Sequence, residues 1–294
     1  MNLNYTIKES DRYENLLDVL KGHFQISERL LLKLKRQNKI FLNKKTSTIN
    51  SKVYANDVVE INIDFEEDNS NIVPINLPID IIYEDDCLLI INKSSGCAVH
   101  PSMLHYEDSL SNRVKYYFDT INLHKKIRPI NRLDKDTSGI VLFAKNEYIQ
   151  ECLVKQMKTN TFKKEYLAIV EGEMTKKEDT ITLPISRKDG SIIERCVDVN
   201  GAHSITHYTV LGYNNIENIS LIKCLLETGR THQIRVHLSY IGHPILGDTL
   251  YGNKSSLINR QALHAYRVTF IHPITNEEIC LESDFEFDID FDYI

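Results

Sequence analysis

The sequence predicts an α+β protein in which a small unit of helices and short strands precedes a larger domain built on a broad sheet. Three observations carry that reading. Before residue 66 the chain shows two short helical patterns and then β-like runs. An acidic stretch, EEDNSNIVPINLP, follows at 66–78 with Pro74 and Pro78, and reads as an exposed linker. From Pro78 onward, short apolar runs alternate with polar turns. The expected division is therefore 1–65, a linker at 66–78, and a main domain at 79–294. With 294 residues, 42% hydrophobic and 26% charged, the chain suits one large domain and a small accessory one.

The elements follow in order. An apolar-periodic stretch from Tyr13 to Leu20, closed near Gly22, predicts a first helix, and Ser27 is the expected N-cap of a second reaching about Gln37. On that second helix Leu30, Leu31 and Leu34 share one side, while Arg29, Lys33 and Arg36, at i, i+4 and i+7, lie away from it. It is amphipathic with a basic outer face. Short strands are expected at Lys39-Ile40-Phe41-Leu42 and Val58-Val59-Glu60-Ile61, with a turn at Asn43-Lys44-Lys45; Lys39, Lys44 and Lys45 extend the basic patch. In the main domain the strand-sized runs are Leu88–Ile91, Ile140–Ala144, Tyr166–Val170, His207–Leu211 and Leu221–Leu226. Residues 284–293 alternate apolar and acidic side chains, which suits a strand with one charged face or an extended tail.

Composition narrows the function classes. Lys+Arg 35 against Asp+Glu 41 gives a formal charge of -6, so nucleic-acid binding requires local basic patches rather than the overall field. The first residues lack a basic leader with an apolar core, and no apolar run approaches the roughly 20 residues that cross a bilayer. A cytoplasmic, soluble protein with no membrane partner is expected. The 6 Cys are scattered without C-x-x-C and read as reduced thiols; the 11 His show no H-E-x-x-H, so no metal is expected.

The segment richest in chemistry is Pro129-Ile130-Asn131-Arg132-Leu133-Asp134-Lys135-Asp136-Thr137-Ser138-Gly139, which runs into the apolar IVLFAK. By residue type alone it is equally a tight turn with capping side chains or a loop presenting a catalytic carboxylate. A second segment, Gly229 to Leu238, carries Arg230 and Arg235 ahead of an apparent helix. Ile234, Leu238 and Ile241 share its core face, Thr231 is its candidate N-cap, and Gly242 and Pro244 stop it.

These motifs resemble a known family. R-L-D-x-x-T-S-G at 132–139 is similar to the signature of RluA-type pseudouridine synthases. Three further blocks stand in that family's order: Tyr83 to Pro101, Lys164-Glu165-Tyr166-Leu167-Ala168, and Gly229 to Asp248. The helix, basic helix and I-F-L-N-K-K hairpin before them resemble the S4 RNA-binding domain. The resemblance implies a mixed, largely antiparallel catalytic sheet behind a small S4-like α/β domain. It implies Asp134 as the catalytic carboxylate, Arg235 as its guanidinium partner with Arg230 as the alternative, and Tyr166 stacking on the target uracil and assisting proton removal from C5. It implies Arg132 filling the space of an extruded base and Ile234 as a hydrophobic wall. Asn131 departs from the family's usual His and is expected near the substrate in its place.

The implied activity is isomerisation of uridine to pseudouridine in RNA without cofactor, by a monomer, with Arg29, Lys33, Arg36, Lys39, Lys44 and Lys45 contacting RNA. Large-subunit ribosomal RNA is the expected substrate and transfer RNA the alternative. Two other classes compete: a non-catalytic RNA-binding or ribosome-assembly protein, which the basic helix alone fits equally well, and a glycosidase of free nucleosides, which leaves that helix without a use.

Overall fold

The computed structural model describes residues 1–101, 106–285, 287 and 289–293. The N-terminal unit runs β1 (Asn2–Thr6), α1 (Leu16–Gly22), α2 (Glu28–Arg36), β2 (Ile40–Leu42), β3 (Lys45–Thr46) and β4 (Val58–Asn62), its strands forming one antiparallel sheet in the order β1-β4-β2-β3. β1 was not expected, since of its residues only Leu3 is fully buried and the rest are polar or half-exposed. α2 follows its pattern: the Ser27 hydroxyl accepts from the Leu30 N–H at 3.1 Å, and Leu30, Leu31 and Leu34 are buried. Asn43 and Lys44, both at positive φ, make the two-residue turn between β2 and β3.

Two parts of the reading of this region need correction. Arg29, Arg36, Lys44 and Lys45 are exposed, but Lys33 and Lys39 are drawn inward. The Lys33 ammonium lies 3.0 Å from Glu67, 2.9 Å from Glu147 and 4.0 Å above the Phe65 ring; Lys39 donates to the Asp64 carbonyl and sits 4.5 Å over the same ring. The chain leaving β4 folds back along α2 and brings Phe65 and Glu67 to these cations. For the same reason 66–78 is not simply an exposed linker. Glu67 is buried against Arg128, Asn69 donates to the Lys125 carbonyl, and the Ile75 N–H bonds the Asn112 carbonyl. Proline prevents a regular ladder here without preventing packing.

The remainder runs β5 (Asp80–Glu84), β6 (Leu88–Lys93), α3 (Leu110–Thr120), β7 (Ser138–Ala144), α4 (Glu147–Lys158), β8 (Lys163–Glu171), β9 (Glu178–Thr182), β10 (Ile185–Arg187), β11 (Arg195–Val197), β12 (Ile205–Asn214), β13 (Ile219–Leu226), α5 (Gln233–Tyr240), β14 (Leu263–Ile271), β15 (Glu278–Glu282) and β16 (Asp292–Tyr293). Its main sheet has the order β16-β12-β13-β8-β14-β7-β6-β5, with β15 beside β14 and β9 beside β12. Among the described residues only β14 against β7 is parallel, so the sheet is mixed and largely antiparallel, as expected.

β6 and β7 read as unbroken apolar runs because both faces are covered. Leu89, Ile91, Val141 and Phe143 join Val114 and Phe118 of α3 in one core; Leu88, Ile90, Ile140 and Leu142 join Ile149 and Leu153 of α4 in another. That second core continues into Leu16, Leu20, Leu30 and Leu34 of the N-terminal unit. The tail is intermediate between the two expectations. Only β16 pairs, while Phe285, Phe287, Ile289 and Phe291 pack on the first core; Glu286 and Asp288 lie outside the described residues.

Candidate active site

The loop 131–137 is held on four sides before any catalytic group is considered. The Asn131 amide donates to the Ile140 carbonyl at 2.8 Å and accepts from the Leu142 N–H at 2.9 Å, so its side chain mimics a strand partner for β7. These two bonds fix the side chain on β7, and Asn131 also lines the outer groove beside Arg132. Leu133 is buried in the core, and the Thr137 hydroxyl accepts from Gln261 at 2.6 Å. Beneath the loop, the buried Lys93 ammonium donates to the carbonyls of Lys135 (3.0 Å), Ser94 and Cys97. Burial pushes its pKa down to about 8. Gly139 closes the arrangement: at φ +110° its position would place a Cβ 2.3 Å from the Ala265 carbonyl oxygen, so only glycine permits the parallel contact of β7 with β14.

Asp134 stands at the end of this loop, half-buried. The Arg235 Nη1 donates to its Oδ2 at 2.9 Å, while the same guanidinium's Nε and Nη2 donate to Asp248 Oδ2 (2.7 Å) and Oδ1 (2.8 Å). The pairing to Asp248 is bidentate and buried, and Asp248 in turn accepts from the Leu250 and Tyr251 N–H groups. Burial alone would favour the neutral guanidine, but the hydrogen bonds and charge of Asp248, with those of Asp134, push Arg235 well above its ordinary pKa. Arg235 is thus the counter-ion of Asp134. Arg230 is exposed at the rim, its Nε donating to the His203 carbonyl at 3.1 Å.

α5 positions Arg235 and Ile234, but not as capped by Thr231. The N-cap position is His232, in the left-handed conformation at φ +57°. Among the described residues no side chain caps the first turn; the Gln233 side chain instead accepts from the Arg230 N–H and the Thr228 hydroxyl and so fixes the loop leading into the helix. His232 Nδ1 is 2.8 Å from the Tyr251 hydroxyl, which already accepts from the Arg195 N–H; its Nε2 is 3.7 Å from Asp134 Oδ2. Burial lowers the His232 pKa.

Asp134, Arg235, Tyr166, Ile234, Leu226 and Leu263 surround an inner cavity of about 60 Å³ that adjoins a groove of about 340 Å³ flanked by Arg132, Lys164, Arg230 and His232. Every expected residue of the catalytic constellation meets here. Tyr166 is buried in β8, and among the described residues its hydroxyl has no hydrogen-bond partner; burial, then the Asp134 charge, push its pKa up. Arg132 is exposed and unpaired among the described residues. Asp248, His232, Tyr251, Lys93 and Lys164 were not assigned roles from sequence. For Asp248 the usable signal was an acid closing the block HPILGD, and for Lys93 a lysine ending a strand that opens with four apolar residues.

Among the described residues one Cys/His/Asp cluster has metal-like spacing, Asp85, Cys87 and His272, and none of the three lines this cavity. The His272 Nδ1 accepts from the Ile274 and Thr275 N–H groups, which leaves its Nε2 protonated and donating to Asp85 at 3.0 Å. Hydrogen bonding accounts for the cluster. No helix among the described residues is long and apolar enough to cross a membrane.

A buried carboxylate–guanidinium pair at the floor, an aromatic wall and a cationic rim define an enzyme that acts on a flat group carried by a polyanion. Comparison with known proteins places it more closely. Residues 87–240 match the model of the RNA pseudouridylate synthase family. The chain is 39% identical over 287 residues to YhcT of Bacillus subtilis, an uncharacterized RNA pseudouridine synthase, covering 98% of this chain and 95% of that one. It is 33% identical to the ribosomal large subunit pseudouridine synthase D of Vibrio cholerae, over 95% of this chain and 90% of the other. Among solved structures, human RNA pseudouridylate synthase domain containing 1 matches with a TM-score of 0.59 and 26% identity, covering 70% of this chain and 83% of that one. The chain belongs to the RNA pseudouridine synthase family.

Proposed function

We propose that the protein isomerises uridine to pseudouridine in large-subunit ribosomal RNA, with Asp134 as the carboxylate that acts at the sugar. The observation that carries this is the chain Asp134–Arg235–Asp248, which holds one carboxylate against a guanidinium in a cavity walled by Tyr166 and Ile234. The C1′–N1 bond breaks, and Asp134 attacks or stabilises the oxocarbenium-like C1′. The uracil turns in the cavity, C5 bonds to C1′, the C5 proton leaves and N1 gains one. Product and substrate are isomers, so the reaction requires neither redox nor group-transfer chemistry.

Tyr166 stacks on the uracil. A phenol whose pKa is pushed up stays protonated at neutral pH, so its part in C5 deprotonation is to bridge the proton to another acceptor rather than to act as a phenolate. Arg132 occupies the gap left by the extruded nucleotide, with Arg230 on phosphate beside it. Residues 1–65 act as an S4-like docking domain ahead of the connecting segment 66–78 and a catalytic domain at 79–294, with Arg29, Arg36, Lys44 and Lys45 as its RNA-facing cations. The choice of ribosomal RNA rests on the names of relatives such as the Vibrio cholerae synthase D.

Mapping pseudouridine in unmodified ribosomal and transfer RNA pools after incubation with the protein tests the reading. New sites confined to large-subunit ribosomal RNA are expected. Sites in transfer RNA alone would replace the substrate, and none in either pool would overturn the activity.

A further inference from the structure

Arg132 and Lys164 both stand in the groove without a partner among the described residues, but only Lys164 of the two is withdrawn from solvent. Among the described residues the other buried or half-buried lysines have acceptors: Lys21 has Glu28, Lys33 two glutamates, Lys39 the Asp64 carbonyl, Lys93 three carbonyls, Lys115 Asp119, Lys125 Asp64, Lys145 Glu84, and Lys223 Glu165. Lys164 is half-buried and has no hydrogen bond or ion pair among the described residues. Its neighbour Glu165, on the opposite face of β8, is paired with Lys223 and Arg267. Burial lowers the Lys164 pKa with no carboxylate near enough to offset it. An uncompensated, desolvated ammonium costs folding free energy, so its presence calls for a partner from outside the chain.

The surroundings say what that partner is. Lys164 stands on the same face of β8 as Tyr166, two residues away, and lines the outer groove with Arg132 and Arg230. The carboxylates in this groove are already engaged, Asp134 by Arg235 and Glu227 by His207 at 2.6 Å. Gly229 faces the lysine: a Cβ at 229 would lie 3.3 Å from the ammonium nitrogen, so the glycine keeps it uncovered. A half-buried, unpaired cation at the mouth of a cavity that receives one nucleotide suits a backbone phosphate.

We infer that Lys164 is a phosphate-binding residue that holds the RNA backbone at the extruded uridine, so that the unpaired charge in the free enzyme is completed by the substrate. This rests on the pseudouridine synthase reading and adds to it a contact that positions rather than reacts. The test is single-turnover tritium release from a large-subunit ribosomal RNA transcript made with [5-³H]uridine, over a range of salt, for wild type, Lys164→Met and Lys164→Arg.

In Lys164→Met the half-saturating concentration should rise about tenfold or more at low salt, with the maximal rate within a few-fold of wild type. The slope of log affinity against log salt should fall by about 0.7–0.9, one phosphate's share. Lys164→Arg should restore most of the affinity, and the thermal midpoint of Lys164→Met should be unchanged or higher. An unchanged salt slope overturns the proposal, as does a maximal rate that falls in step with affinity or a lowered midpoint that Arg does not rescue. If wild type binds this RNA without releasing tritium, the catalytic reading fails, while the salt slope of binding by the three proteins still decides the role of Lys164.

Discussion

Arg235 is shared unevenly between two carboxylates. Asp248 takes two of its N–H groups and Asp134 one, so the guanidinium is anchored by the first and leaves the second partly free to react. Asp134→Asn should lower kcat by about 10⁴-fold or more, as loss of a nucleophile does. Asp248→Asn should lower it by about 10–100-fold, the usual scale for losing a partner that orients a reacting group. Steady-state tritium release checks both, and wild-type rates in either variant would contradict the assignment. Tyr166→Phe keeps the stacking ring and removes only the hydroxyl, so kcat should fall by about 10²–10⁴-fold with KM little changed; a fall in affinity alone would assign Tyr166 to binding. Asp134, Tyr166 and Arg235 were legible because each sits in a motif whose residue type matches the chemistry. Asp248 was not, since its meaning depends on a contact 13 positions away that sequence order does not reveal. The bonds of Asn131 to β7 were not legible, because a carboxamide in a loop gives no sign that it also pairs with a strand.

At the scale of elements, the site depends on how β7 meets β14. Gly139→Ala would force a Cβ into the Ala265 backbone at a positive φ, so the strand must shift or the loop 131–137 must move with it. A loss of several kcal/mol is expected, lowering the thermal midpoint by roughly 2–4 °C for each kcal/mol, together with reduced kcat. An unchanged midpoint would show that this approach is not tight. α2 was legible from periodicity and capping, and β6, β7, β8, β12 and β13 from their apolar runs, whereas β14, which β7 meets, was not expected. The start of α5 was not. Thr231 has the side chain of a cap, but the chain turns into the helix through His232 at positive φ, and Gln233 ties the preceding loop instead. β1 is too short and too polar to signal itself without its partner β4.

For the whole molecule, the N-terminal unit and the main sheet share one apolar core and one charge network. Composition marked 66–78 as a boundary but could not show that Glu67 is buried between Arg128 and Lys33. Burial opposes ionisation of Glu67, yet those two cations outweigh it and hold the pKa down at about 2, below an ordinary value of 4.5. The sign follows: a depressed folded-state pKa stabilises fully above about pH 4.5 and is lost as pH falls through about 2. Acid titration of the thermal midpoint should therefore show wild type losing stability faster than Glu67→Gln between those limits, by up to roughly 3 kcal/mol; parallel curves would contradict the network. The measurement that bears most directly on the central claim is tritium release from ribosomal RNA labelled at C5 of uridine, with wild type and Asp134→Asn side by side. Release by wild type and none by the variant, with RNA binding retained in both, is the expected result. Equal release by the two proteins would remove Asp134 from the chemistry and contradict the account.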